Sequence, residues 1–189
     1  MYKFSTIMKA LSHTILAISL LMLCACQNPP KEGTADINNT TEVSVSELEI
    51  LEDVSLFNTE REKIALSTEI KKHPITIIDF WASWCAPCMR AMPKMVELYN
   101  EFSPKGLGII GVSYDKEFDK WQEAIKTNNM TWLQLSDLRG WDDVTVEKYD
   151  ITSIPNTIIL DKEGHILAKG LEIEGLRDFI AKFFEAEKQ

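Results

Sequence analysis

The sequence predicts an α/β fold: a mixed central sheet flanked by helices on both faces, with a short β-hairpin ahead of it. Three observations carry this. Ile75-Thr76-Ile77-Ile78-Asp79-Phe80-Trp81 is an apolar, β-branched run, the pattern of a strand buried on both faces. A helical stretch, Pro87 to Phe102, joins it to a second such run, Leu107 to Val112. After Pro155, the strand Thr157–Leu160, the turn Asp161-Lys162-Glu163-Gly164 and the strand His165–Ala168 form a hairpin that leads into a final amphipathic helix.

The elements follow in chain order. Val54–Phe57 and Lys63–Leu66 read as short strands around the polar turn Asn58-Thr59-Glu60-Arg61. Met92, Met95, Val96 and Tyr99 recur at helix spacing after Pro87, and the three-residue recurrence of Met89, Met92 and Met95 is assigned to helix packing rather than to a copper-binding thioether set. Phe118–Lys126 and Asp143–Tyr149 are two further helices. Glu174–Glu185 closes the chain, burying Ile173, Leu176, Ile180 and Phe183 or Phe184. His73 precedes Pro74 and is expected in a loop. Trp121, Trp132 and Trp141 are assigned to packing, and Asp115 to capping the helix that follows it.

Composition narrows the function. The chain has 189 residues, 45% hydrophobic and 26% charged, with a net charge of −9. That allows one domain with a sizeable core and is neither fibrous nor disordered. Lys3 and Lys9 are the only charged residues before Cys26, so loss of residues 1–25 makes the remainder more acidic still. Such a body repels a phosphate backbone, and no nucleic-acid partner is expected.

The N-terminus reads as an address. A basic start is followed by the short apolar run Ile15–Leu23 and then by Cys24-Ala25-Cys26-Gln27-Asn28-Pro29-Pro30. The run is interrupted upstream by His13 and falls short of the roughly twenty apolar residues that cross a bilayer. Leu23-Cys24-Ala25-Cys26 resembles a bacterial lipoprotein signal, with Leu at −3 and a small residue at −1. The resemblance implies removal of residues 1–25 and acylation of Cys26. Residues 26–45 are then a polar, proline-containing tether, and 46–189 the folded domain. The expected location is export, with a lipid anchor in a bacterial membrane and the domain facing the periplasm.

With Cys24 discarded and Cys26 capped, Cys85 and Cys88 are the remaining thiols. Trp84-Cys85-Ala86-Pro87-Cys88 lies between a buried strand and a helix start. This spacing brings two sulfurs together across the first helical turn. At that position unpaired N–H groups and the positive helix end favour a thiolate at Cys85, and Pro87 suits the first turn. A zinc site would need four ligands, and His73 and His165 are not spaced as a pair, so no metal is expected. A structural disulfide closing so short a loop stabilises little. A redox-active dithiol remains, with no cofactor.

IIDFWASWCAPC resembles the active-site segment of the thioredoxin superfamily, and SIPNTIILDKEGHILAKG resembles its cis-proline strand and hairpin. The leading hairpin, GVSYD and the long stretch between Gly111 and Pro155 resemble the membrane-tethered TlpA-like branch. That branch contains disulfide reductases serving periplasmic thiols and cytochrome c maturation. The resemblance covers about residues 46–186 and implies a thioredoxin-like fold with an insertion before the cis-proline.

It also implies roles. Cys85 is the attacking thiol and Cys88 the resolving, less exposed one. Asp79 matches the buried carboxylate of thioredoxin itself and is suited to take the proton of Cys88, its pKa raised by burial. Pro93 matches the proline that kinks the active-site helix. Pro155 matches the cis-proline, leaving the backbone of Ile154 to pair with an extended substrate, while Trp84 offers an apolar contact. Ala86 replaces the commoner Gly between the cysteines. The implied partners are periplasmic proteins with disulfides and a membrane thiol-electron donor. Two other classes remain as alternatives: a thiol peroxidase of the peroxiredoxin type, against which Ala82 stands where those enzymes carry Thr, and a non-catalytic thiol- or metal-binding module.

Overall fold

A computed structural model describes residues 48–186. The expected signal, the lipidation site at Cys26 and the tether lie outside the described residues. Among the described residues, no helix is long and apolar enough to cross a membrane.

The leading hairpin forms as predicted, from β1 (Ser55–Phe57) and β2 (Lys63–Ala65), paired antiparallel. Asn58 closes its turn by accepting from the backbone N–H of Glu60 and Glu62 at 3.0 and 2.8 Å. Leu66 leaves the predicted strand: α1 spans Leu66–Ile70. Its start is held by Asp53, which accepts from Ser67 N at 2.9 Å and Ser67 Oγ at 2.7 Å. The cap thus comes from an earlier segment, not from the residues next to the helix.

β3 (Ile75–Trp81) and β4 (Leu107–Ser113) are buried along their whole length and pair in parallel. The crossover between them is α2 (Ala86–Phe102), which extends through Pro93. α3 (Phe118–Thr127) leads to β5 (Leu133–Leu135), a three-residue strand beyond the predicted set, parallel to β4. A 3₁₀ turn, Gly140–Asp142, and α4 (Val144–Lys148) precede β6 (Asn156–Asp161), which runs antiparallel to β3. β7 (Ile166–Lys169) returns beside β6, and α5 (Ile173–Ala186) ends the domain. The sheet order is β5-β4-β3-β6-β7, mixed as predicted.

Helices cover both faces. On one face α2 meets α5 through stacked Phe102 and Phe184, 5.9 Å between ring centres. It meets the end of α3 through Asn128 Nδ2 and Met89 Sδ, 3.6 Å apart. On the other face Phe80 packs edge-on against Tyr149 at the end of α4, 6.2 Å away, and near Tyr114 at 6.1 Å. Residues alternate faces along a strand, so Asp79 and Trp81 lie opposite Phe80. Trp81 Nε1 accordingly donates to Gln134 Oε1 at 3.0 Å, and that amide also reaches Met130, just past α3.

Each sheet edge is met at one end by an earlier segment of the chain, which shortens the free edge open to pairing with other chains. Phe57 pairs with Ser136 beside β5, and Ile50 with His165 at the start of β7. Ile166 N donates to Glu49 O at 2.7 Å, and Leu51 N to Gly164 O at 2.9 Å.

Candidate active site

The site begins where β3 ends. Tyr114 N donates to Trp81 O at 2.9 Å, continuing the β3–β4 pairing just past both strands. Ala82-Ser83-Trp84 then turns the chain, with Cys85 N donating to Ala82 O at 3.0 Å. Cys85 occupies the cap position of α2, and Pro87 falls in the first turn where its missing N–H leaves no bond broken.

Cys85 and Cys88 are joined by a disulfide, S–S 2.03 Å. Cys88 N points back at Cys85 Sγ, 3.2 Å away, so the sulfur takes the place of a capping oxygen. The same N–H would stabilise a thiolate there once the bond is reduced. In this oxidised form the two cysteines differ little in exposure, Cys88 being marginally the lower. Both are buried, Cys85 at 3% exposure and Cys88 at 2%. A disulfide ties the two sulfurs together, so neither can present itself alone. Exposure at the site belongs to Trp84, Ala86 and Pro87.

Asp79 is buried on the face that carries α2. Burial raises its carboxyl from 3.8 to about 7, and burial is the sole cause. The strand register explains how a carboxyl fits there. Across the sheet Asp79 pairs with Thr157 on one side and Gly111 on the other, and Gly111 pairs with Gln134. A side chain on Gly111 would lie 2.2 Å from Gln134 Oε1. The glycine therefore makes room for the amide, and the row through Asp79 is polar within an apolar sheet.

The Ile154–Pro155 peptide bond is cis, as the resemblance implied. Pro155 lies one residue beyond the last β3–β6 pair, Phe80 with Asn156, at the same end of the sheet as the cysteine turn. Ile154 is half-buried. Trp84 is 55% exposed and its Nε1 donates to Tyr114 O at 3.3 Å.

Two assignments from sequence are corrected. Asp115 does not cap α3, whose cap position is Glu117 without a side-chain bond. Asp115 is instead buried and accepts from Ser83 N (2.9 Å), Ser83 Oγ (2.6 Å) and Ser113 Oγ (2.7 Å). It fastens the end of β4 to the turn that presents Trp84 and Cys85. Trp141 is not a core residue. Trp121 and Trp132 are buried, but Trp141 is 42% exposed, its ring centre 5.2 Å from that of Tyr114. A short 3₁₀ turn offers too little surface to bury an indole on all sides. Sequence reasoning also passed over Ser83 and Gln134, whose roles depend on partners distant in the chain.

The chain matches a family model described as Thioredoxin-like over residues 73–166, from the approach to β3 to the start of β7. It is 31% identical to a thioredoxin-like protein, YneN, of Bacillus subtilis, over 66% of this chain and 71% of that one. It is 29% identical to the thiol-disulfide oxidoreductase ResA of Bacillus thuringiensis, over 52% of this chain; the match spans only 53% of that relative's length. Among solved structures, a thiol-disulfide oxidoreductase from Bacteroides fragilis aligns with a TM-score of 0.67 at 30% identity, covering 71% of this chain and 99% of that one. The C-terminal domain of a putative thiol-disulfide oxidoreductase from Bacteroides thetaiotaomicron aligns with a TM-score of 0.68 at 32% identity, covering 76% and 99%. With its disulfide-bonded Cys85–Cys88 pair at the head of α2, the chain belongs to the thioredoxin-like thiol–disulfide oxidoreductases.

Proposed function

We propose that the protein is a membrane-tethered disulfide reductase of exported proteins, working through a mixed disulfide. The observation that carries this is the Cys85–Cys88 pair at the N-terminus of α2, on the sheet face that also holds Asp79. In the reduced protein the Cys85 thiolate attacks one sulfur of a substrate disulfide. The substrate S–S bond breaks, a bond to Cys85 forms, and the departing sulfur leaves as a thiolate that takes a proton.

Cys88 must then lose its own proton. Asp79, its carboxyl raised by burial to about 7, is matched to this task and accepts that proton. The Cys88 thiolate attacks Cys85 Sγ, the disulfide seen here forms, and reduced substrate departs. Two electrons have passed from the dithiol to the substrate, and a membrane thiol-electron donor restores them. Ile154 and Pro155 line the approach for an extended substrate segment, and Trp84 supplies an apolar contact. Cys26 carries the lipid, and residues 26–45 let the domain reach its partners on the periplasmic side.

Trapping tests the reading. Cys88→Ala should leave substrates joined to Cys85 as stable mixed disulfides, recovered with the membrane fraction and released by reductant. If Cys85→Ala captures the same proteins in place of Cys88→Ala, the thiol roles are reversed. If neither captures any, the reductase reading fails.

A further inference from the structure

Two large exposed indoles share one cleft beside the disulfide. Exposed tryptophan is uncommon enough on a folded surface that two converging on a concave site indicate a contact surface. Trp84 and Trp141 are 55% and 42% exposed and line a cleft of about 330 Å³ with Tyr114, Lys116, Lys120 and Gly140. Trp84 is the residue before Cys85, so one wall of the cleft is the turn that carries the reactive cysteine.

The cleft is held open by contacts that need no ligand. Tyr114 serves both indoles: its carbonyl accepts from Trp84 Nε1 and its ring packs against Trp141, 5.2 Å between centres. Its hydroxyl is 3.1 Å from Thr145 Oγ1, which locks it to α4. Asp115 fastens the Trp84 turn to β4. Gly140 adopts φ +64°, and a side chain there would meet the stem of Lys116. The lysine stem therefore lies flat along the turn that carries Trp141.

The cleft is lined by two lysines, Lys116 and Lys120, and two carboxylates, Asp115 and Glu117, so it is balanced in charge while the whole chain is −9. Lys120 is paired with Glu117, also on the cleft, at 2.6 Å, and the Asp115 carboxylate is occupied by the serine bonds given above. Lys116 is exposed and makes no ion pair among the described residues, so its ammonium is the cation at the rim that remains open to a ligand.

We infer that this cleft is a specificity subsite for the polypeptide substrate, taking an aromatic or large aliphatic side chain near the reactive cysteine, with a carboxylate beside it meeting Lys116. The inference rests on the oxidoreductase reading and adds to it which disulfides are preferred. The indole pair supplies the apolar faces, and the single cation sets the preferred charge.

The test uses the reduced protein and glutathione mixed disulfides of short synthetic peptides. One cysteine peptide carries Phe beside the Cys and another Ala, each with either Glu or Lys next to that residue. Each turnover consumes the protein dithiol and the mixed disulfide and yields protein disulfide, free peptide thiol and glutathione. The second-order rate constant for Phe peptides should exceed that for Ala peptides about tenfold, within the range one apolar side chain supplies in a pocket. Trp141→Ala should bring that ratio below about twofold. Lys116→Glu, a change at an exposed side chain, should reverse the preference for Glu over Lys peptides even if Trp141→Ala does not fold.

A wild-type ratio near one, an unchanged ratio in Trp141→Ala, or an unchanged acid preference in Lys116→Glu would overturn the inference. Oxidation of the wild-type protein by glutathione disulfide is followed in parallel. If that fails as well, the oxidoreductase reading itself falls. If it succeeds while the peptides show no preference, only the subsite does.

Discussion

Replacing Asp79 by Asn should change how stability depends on pH. The folded carboxyl titrates at about 7 against 3.8 for an unperturbed one, because burial penalises its charged form. Between those values the folded chain keeps a proton that the unfolded chain has lost. Its contribution to stability is therefore full below the unfolded value and is lost as pH rises through the folded one. At about 1.4 kcal/mol per pH unit the whole displacement amounts to roughly 4 kcal/mol, of which about 3 kcal/mol falls between pH 5 and pH 9. Asn does not titrate. Its amide carries a cost of roughly 1–3 kcal/mol for burial, the same at every pH. Urea unfolding of both disulfide-bonded proteins across this range should show the variant gaining about 3 kcal/mol on the wild type as pH rises. Stopped-flow reduction of a model disulfide should show slower release from the mixed disulfide in the variant. A stability difference constant within about 0.5 kcal/mol would refute the raised titration. Wild-type release kinetics at every pH would remove Asp79 from the proton transfer.

In the reduced protein Cys85 should be alkylated by iodoacetamide before Cys88 near neutral pH, because its sulfur caps α2; peptide mapping that finds Cys88 modified first would reverse the roles. Asp115→Ala strands donors on half-buried Ser83 and buried Ser113, so a denaturant melt should show a loss of about 2–4 kcal/mol, with Asp115→Asn milder. Cys26→Ser should abolish membrane partitioning; mass spectrometry of the wild type showing an unmodified Cys26, or a Cys26→Ser protein still held by the membrane, would count against lipidation.

Much of the fold could be read locally. β3 and β4 were plain because strands buried on both faces are apolar at most positions, and Thr76, Asp79 and Ser113 interrupt these runs without breaking them. The cysteine pair was equally plain, since its spacing and its place between strand and helix are local facts. What escaped depends on distant partners. α1 takes its cap from Asp53, so Leu66 looked like the end of a strand. Asp115 stands where a helix cap would, yet its carboxylate is taken by Ser83, which is remote in sequence. β5 is three residues long and shows no period of its own; it exists because β4 offers it an edge. Whether Trp141 is covered depends on what its short turn packs against, and composition does not tell one tryptophan from another.

The pairing of residues 49–51 along β7 has a mechanical consequence. Ile50 bridges to His165, at the end of the sheet where β3 begins, while Cys85 follows the end of β3. A seven-residue strand spans roughly 20 Å, so the chain enters the domain at the pole opposite the cysteines. Force transmitted through the preceding chain is borne by the hydrogen bonds between Glu49 and Ile166 and between Leu51 and Gly164. Those bonds would peel before any strain reached β3 or α2. Were the proposed tether to pull from this corner, the domain would be tugged and swung while the geometry around its sulfurs stayed still.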